Sequence, residues 1–183
     1  MTTRTVLLHA FTLCITIAGC SRTDDGRTPP AEPSGLIVKA LQPAVVTMAG
    51  DGTDVERVIF TGDDILWFNG STKEIRFKNN ISQKKIIEGV LSRTIRFYID
   101  GEYLFSSMIC VSDLNSQTFD SPVFYYSQIE NMFYLNDGYP DVSVLQNKTE
   151  HQNRRDENMA EIRDEWDKFI ARLKLEDKWI DGI

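Results

Sequence analysis

The sequence predicts an α+β fold: one antiparallel, β-sheet-rich domain of hairpins with a C-terminal amphipathic helix packed on it. Three observations predict it. Short apolar runs with alternating polarity, broken by turn residues, fill the chain from about residue 36 to 135. Two of the breaks are Asn-Gly or Asp-Gly pairs, the strongest short-range hairpin signal. Beyond about residue 150 the apolar spacing changes from two to a repeating three and four, which is helical. Strands followed by a helix is the α+β order, with the helix covering one sheet face.

The strand signals run as follows. Leu36 to Leu41 and Ala44 to Met48 are short apolar runs separated by Pro43. Glu56 to Phe60 precedes the turn residues Thr61-Gly62-Asp63-Asp64. Ile65 to Asn69 and Lys73 to Lys78 flank Asn69-Gly70-Ser71-Thr72, where Asn and Gly tolerate positive φ. Ser82 to Val90 is ambiguous, with Ser82 placed to cap a short helix that turns Ile86, Ile87 and Val90 inward. Ile95 to Ile99 alternates and meets Asp100-Gly101, so Tyr103 to Val111 is its return strand. Val123 to Tyr126 and Met132 to Leu135 make a third pair around Ile129-Glu130-Asn131.

Met159, Ile162, Trp166, Phe169 and Leu173 share one stripe of a helix expected over about 150–176. Thr149 and Gln152 have capping-box spacing at its start. Two heptads are too few to carry a coiled coil alone, so the stripe is expected to pack within the chain and leave a monomer; the alternative is a dimer seam, since 3,4 spacing is also coiled-coil spacing.

The N-terminal segment has a different character. Arg4 precedes the mostly apolar Val6 to Ile17, which is too short for a membrane-spanning helix, and Ile17-Ala18-Gly19-Cys20 closes it with small residues before a cysteine. This arrangement resembles the signal of bacterial lipoproteins. The resemblance implies removal of residues 1–19 and lipidation of Cys20 by a diacylglyceryl thioether and an N-acyl chain such as palmitate. Two or more chains anchor a protein stably where one does not. Ser21, rather than Asp, after the cysteine resembles outer-membrane sorting, and Asp24-Asp25 resembles the acidic export tag of Bacteroidetes surface lipoproteins. Residues 20–35, with Thr28-Pro29-Pro30 and Glu32-Pro33-Ser34-Gly35, have no apolar period and read as a disordered, proline-extended tether. The folded domain is then 36–183. The acidic tether and small β-rich domain also resemble uncharacterised Bacteroidetes envelope lipoproteins.

Charge and composition exclude several function classes. The formal net charge is −7, which opposes binding to nucleic acid or to anionic lipid. Of the three cysteines, Cys14 lies in the signal and Cys20 is the lipidation site, so Cys110 has no partner for an intramolecular disulfide. His151 is the only histidine after the signal, which argues against a Ser-His-Asp triad and a histidine zinc site. Gly50-Asp51-Gly52 lacks the spacing and the lysine of a phosphate loop. Asp113 to Asp120 carries oxygen side chains at alternate positions, but Thr118 and Phe124 stand where a calcium loop of the EF-hand type needs Gly and Glu. No catalytic residue, metal ligand or cofactor is therefore assigned.

Aromatic density marks the candidate surface. In Phe97-Tyr98, Phe124-Tyr125-Tyr126 and Phe133-Tyr134, neighbours on a strand must point to opposite faces. With the helix on one face, Tyr98, Tyr125 and Tyr134 are expected to line the other and to contact a protein or glycan; the alternative is that both faces are covered, as in a barrel or sandwich. The expected function is thus a membrane-anchored envelope lipoprotein, non-catalytic, presenting an aromatic sheet surface. The alternative is a small envelope hydrolase or metal-assisted enzyme using acidic residues.

Overall fold

The computed structural model describes residues 34–42, 55–78, 86–87, 94–111 and 116–182. They belong to one unit, Glu32–Ile183. The strands are β1 (Leu36–Gln42), β2 (Val55–Thr61), β3 (Ile65–Asn69), β4 (Glu74–Phe77), β5 (Thr94–Ile99), β6 (Glu102–Val111), β7 (Val123–Ser127), β8 (Met132–Asn136) and β9 (Trp179–Ile180). They form one sheet in the order β2-β1-β5-β6-β7-β8-β4-β3-β9. Two helices, α1 (Lys148–Glu161) and α2 (Arg163–Leu175), precede β9. The fold is α+β with the sheet dominant, as the alternation and the change of period predict.

The sheet is mixed rather than purely antiparallel. β6 runs parallel to β7, and β3 parallel to β9; the other pairs are antiparallel. The physical reason is the connection. A tight turn returns the chain antiparallel, whereas a parallel neighbour needs a crossover of about a dozen residues. Residues 112–122 supply that length between β6 and β7. Likewise residues 70–178 lie between β3 and β9.

The sheet curls strongly. β2 and β7 are four strands apart in order, about 19 Å in a flat sheet. Yet the Phe60 ring lies 5.7 Å from Phe124 and 4.9 Å from Phe77 on β4. A single 3₁₀ turn, Gly62–Asp64, joins β2 at one end of the sheet to β3 near the other. Thr61 closes that turn: its N–H and hydroxyl donate to Asp64 Oδ2 at 2.7 and 3.0 Å.

Phenylalanines fill the concave side. Phe124 stacks on Phe133 at 5.5 Å and Phe97 on Phe105 at 4.6 Å. From α2, Phe169 enters edge-on to Phe68, Phe97 and Phe105. Phe169 and Leu173 are fully buried, so α2 is part of the core, and each such side chain contributes about 1.5–3 kcal/mol. Ile86, within the ambiguous segment, is helical and fully buried. Ala44 to Met48 and Cys20 lie outside the described residues, as does the side chain of Cys110.

The helical stretch expected over about 150–176 is broken. Ile162, with φ −110° and ψ 17°, ends α1 and starts α2. Thr149 and Gln152 do not cap α1; it begins two residues earlier, at Lys148, after Asn147 in the left-handed region at φ 54°. The break also divides the apolar stripe: Ile162, Trp166, Phe169 and Leu173 reach the core, and Met159 stays on α1 outside it.

Candidate functional site

Alternation along the strands sorts the tyrosines. On β7, Phe124 and Tyr126 are buried in the core and Tyr125 points away from it. On β8, Phe133 and Leu135 are in the core and Tyr134 points away. On β5, Ile95 and Phe97 are in the core and Tyr98 lies half-buried on the other face.

Tyr125 and Tyr134 face each other in register across β7 and β8. Their rings stack 5.0 Å apart at 18°. Tyr139 also tilts against Tyr125 at 5.3 Å. Asn136 Nδ2 donates to the Tyr125 hydroxyl at 3.3 Å, and the Tyr134 hydroxyl donates to Glu130 Oε2 at 2.7 Å. Burial, with the Glu130 carboxylate beside it, raises the Tyr134 phenol above its ordinary value. The row continues across β4 and β3. Glu74 pairs in register with Tyr134, Arg76 Nη2 donates to Glu74 Oε1 at 3.0 Å, and the Arg76 guanidinium lies 5.6 Å from the Trp67 ring. The result is a stripe of aromatic and charged side chains across four strands.

Tyr98 belongs elsewhere. Its strand partner is Tyr103, while that of Tyr125 is Cys110. The seven residue steps between those partners on β6 separate the two sites by about 23 Å. Tyr98 donates its hydroxyl to Glu56 Oε1 at 2.7 Å, and Arg96 donates to the same oxygen at 2.9 Å. Lys39 pairs with Glu56 Oε2 at 3.4 Å and lies 4.5 Å from the Tyr98 ring. The Tyr98 hydrogen bond lowers the Glu56 carboxyl, against a desolvation that raises it; Arg96 and Lys39 lower it further. Burial raises the Tyr98 phenol. This cluster ties β5, β1 and β2 together across their convex side.

A third cluster was not assigned from the sequence. Asp120, just before β7, accepts from Arg155 Nε at 3.3 Å and pairs with His151 Nδ1 at 2.8 Å. Asn158 Nδ2 donates to the Asp120 carbonyl, and Arg155 Nη2 to the Pro140 carbonyl at 2.7 Å. Residues 151, 155 and 158 share one face of α1, and that spacing was the available signal. What the sequence lacked was the partner, 31 residues from His151. Among the described residues, no group of three His, Cys, Asp or Glu is placed to hold a metal ion. The carboxylates with lowered values, Glu56 and Asp141, sit on separate elements, and a hydrogen bond to Ser143 is the main cause for Asp141.

Comparison with protein-family models, curated proteins and solved structures finds no match to this chain. No helix among the described residues is long and apolar enough to cross a membrane.

Proposed function

We propose that the chain is a cell-envelope lipoprotein, anchored through Cys20, whose domain binds a protein or glycan partner on the stripe around Tyr125 and Tyr134. The stacked Tyr125–Tyr134 pair carries the reading. It lies opposite the phenylalanine core, so the core packing that accounts for most aromatics here does not account for it. Glu74, Arg76 and Asn136 supply donors and acceptors beside the rings, the mixture of flat apolar surface and polar edge that sugar rings and protein interfaces require. Support for the anchor is the Ile17-Ala18-Gly19-Cys20 pattern alone.

Two experiments test the two halves. Metabolic labelling with an alkyne fatty acid is expected to mark the wild type and not Cys20→Ala; equal labelling removes the anchor. Crosslinked pull-downs from native membranes, with a glycan array beside them, are expected to lose their ligand in the Tyr125→Ala/Tyr134→Ala double variant. Tyr103→Ala, an exposed tyrosine outside the stripe, is expected to keep it. Equal loss in both variants, or in neither, rejects the stripe.

A further inference from the structure

α1 and α2 are attached to the domain by different forces. α2 inserts Phe169 and Leu173 into the core. In α1, KTEHQNRRDENMAE, no side chain belongs to the core cluster, and its one fully sequestered residue is Arg155, 3 % exposed. α1 rests on the Val142–Val144 turn, whereas α2 rests on β6 and β9.

What holds α1 is a polar clasp. Asp120 takes His151 and Arg155, with Arg154 Nη1 3.7 Å away; its carbonyl takes Asn158; and the Pro140 carbonyl takes Arg155. The floor of the clasp is Gly138. A Cβ there would lie 2.2 Å from Arg155 Nε, so the guanidinium lies directly on the backbone. Charge-assisted hydrogen bonds of this kind are strong when complete and act together, because a buried guanidinium left without its carboxylate is costly. Beyond the clasp, the helix axis is interrupted at Ile162, and α2 restarts with the Trp166 N–H donating to the Ile162 carbonyl at 2.8 Å.

We propose that α1 is a hinged arm: it undocks as a unit between the left-handed Asn147 at its start and the break at Ile162, with Asp120 as its clasp, while α2 and the sheet remain folded. Apolar burial holds the sheet and α2 together and is not lost when α1 leaves; what is lost is the clasp and the contact with the Val142–Val144 turn. Opening uncovers the Gly138–Pro140 ledge, which includes Tyr139 against Tyr125. The arm stands on the clasp and the break, independently of what the tyrosine stripe binds.

Native-state hydrogen exchange of the full chain tests it. In wild type, with urea kept below the unfolding midpoint, amides of α1 are expected to exchange at rates nearly independent of urea. Those of β5, β6 and α2 are expected to accelerate with it, since only global opening exposes large apolar area. A common urea dependence for α1 and the sheet overturns the arm. In Asp120→Asn, α1 amides are expected to exchange at least tenfold faster while the sheet keeps its protection. Unchanged α1 exchange, or equal loss in α1 and sheet, overturns Asp120 as the clasp. Phe169→Ala, which weakens the core alone, is expected to speed sheet exchange and leave that of α1 unchanged until global opening overtakes it.

Discussion

Glu56 gathers three donors on the convex side of β1, β2 and β5, and its effect on stability has a definite sign. Its carboxyl is lowered in the folded protein, first by Tyr98 and then by Arg96 and Lys39. A lowered carboxyl stabilises above the unfolded value, about pH 4.3, and the stabilisation is lost as pH falls through the folded value. Unfolding free energies from urea titrations between pH 6 and pH 3 are expected to fall less in Glu56→Gln than in wild type, by about 0.5–1 kcal/mol for a partly exposed cluster. An identical acid slope in both proteins removes Glu56 from the account. Gly70 makes the second point at this scale. Asn69-Gly70 reads as a turn in which both residues tolerate positive φ, and a β3–β4 hairpin does form there. The mechanism differs: the positive φ falls on Lys73, and Asn69 Oδ1 accepts from the N–H groups of Ser71 and Thr72. Glycine is required because the Trp179 ring lies 2.1 Å from where its Cβ would be. Gly70→Ala is expected to displace Trp179 and cost about 1–3 kcal/mol of unfolding free energy in denaturant titration. A neutral substitution means that the ring moves freely. At Asp100-Gly101, by contrast, φ is 51° and 83°, so the sequence signal and its mechanism coincide.

At the scale of elements, legibility followed the range of the interaction that sets each one. The β5–β6 and β7–β8 hairpins are local, and alternation plus turn residues located them. α2 was legible through its stripe because its neighbours are apolar. α1 was legible as helix but not as a separate element: nothing in the 3,4 spacing marks Ile162, since the break follows from two helices docking on different surfaces. Parallel pairing of β6 with β7 depends on where residues 112–122 lead the chain, which composition does not encode. Of the candidate site, alternation located Tyr125 and Tyr134; it could not reveal that Tyr98 lies apart or that Arg76 and Trp67 extend the stripe, because strand order decides both. The same contrast between helices makes a prediction. Phe169→Ala removes a ring meeting Phe68, Phe97 and Phe105 and is expected to cost about 3–5 kcal/mol. Met159→Ala, outside the core cluster, is expected to stay within about 0.5 kcal/mol. Comparable losses in the two variants contradict the division between α1 and α2.

For the whole molecule, curl decides how the sheet closes. Phe60 reaches Phe124 and Phe77, so one core serves both ends of the sheet, and Gly62–Asp64 ties those ends covalently. β9 then covers the flank of β3: the Phe68 N–H donates to the Lys178 carbonyl at 2.7 Å and the Gly70 N–H to the Ile180 carbonyl at 2.9 Å. Trp179 stacks on Phe68 at 5.4 Å, with Lys174 4.9 Å from its ring. The last residues of the chain thus satisfy backbone groups that would otherwise face outward beside an apolar strand, the arrangement that invites pairing between copies. Ending the chain at Asp177 is expected to leave the core phenylalanines in place but to free that flank. Sedimentation velocity should then show concentration-dependent association of the shortened chain at a concentration where the full chain sediments as one species. Denaturant titration should show a loss of about 1–3 kcal/mol from the missing hydrogen bonds and the Trp179 stack. Association without loss of stability would separate edge protection from core support; loss without association would mean that the flank of β3 is guarded by something other than β9.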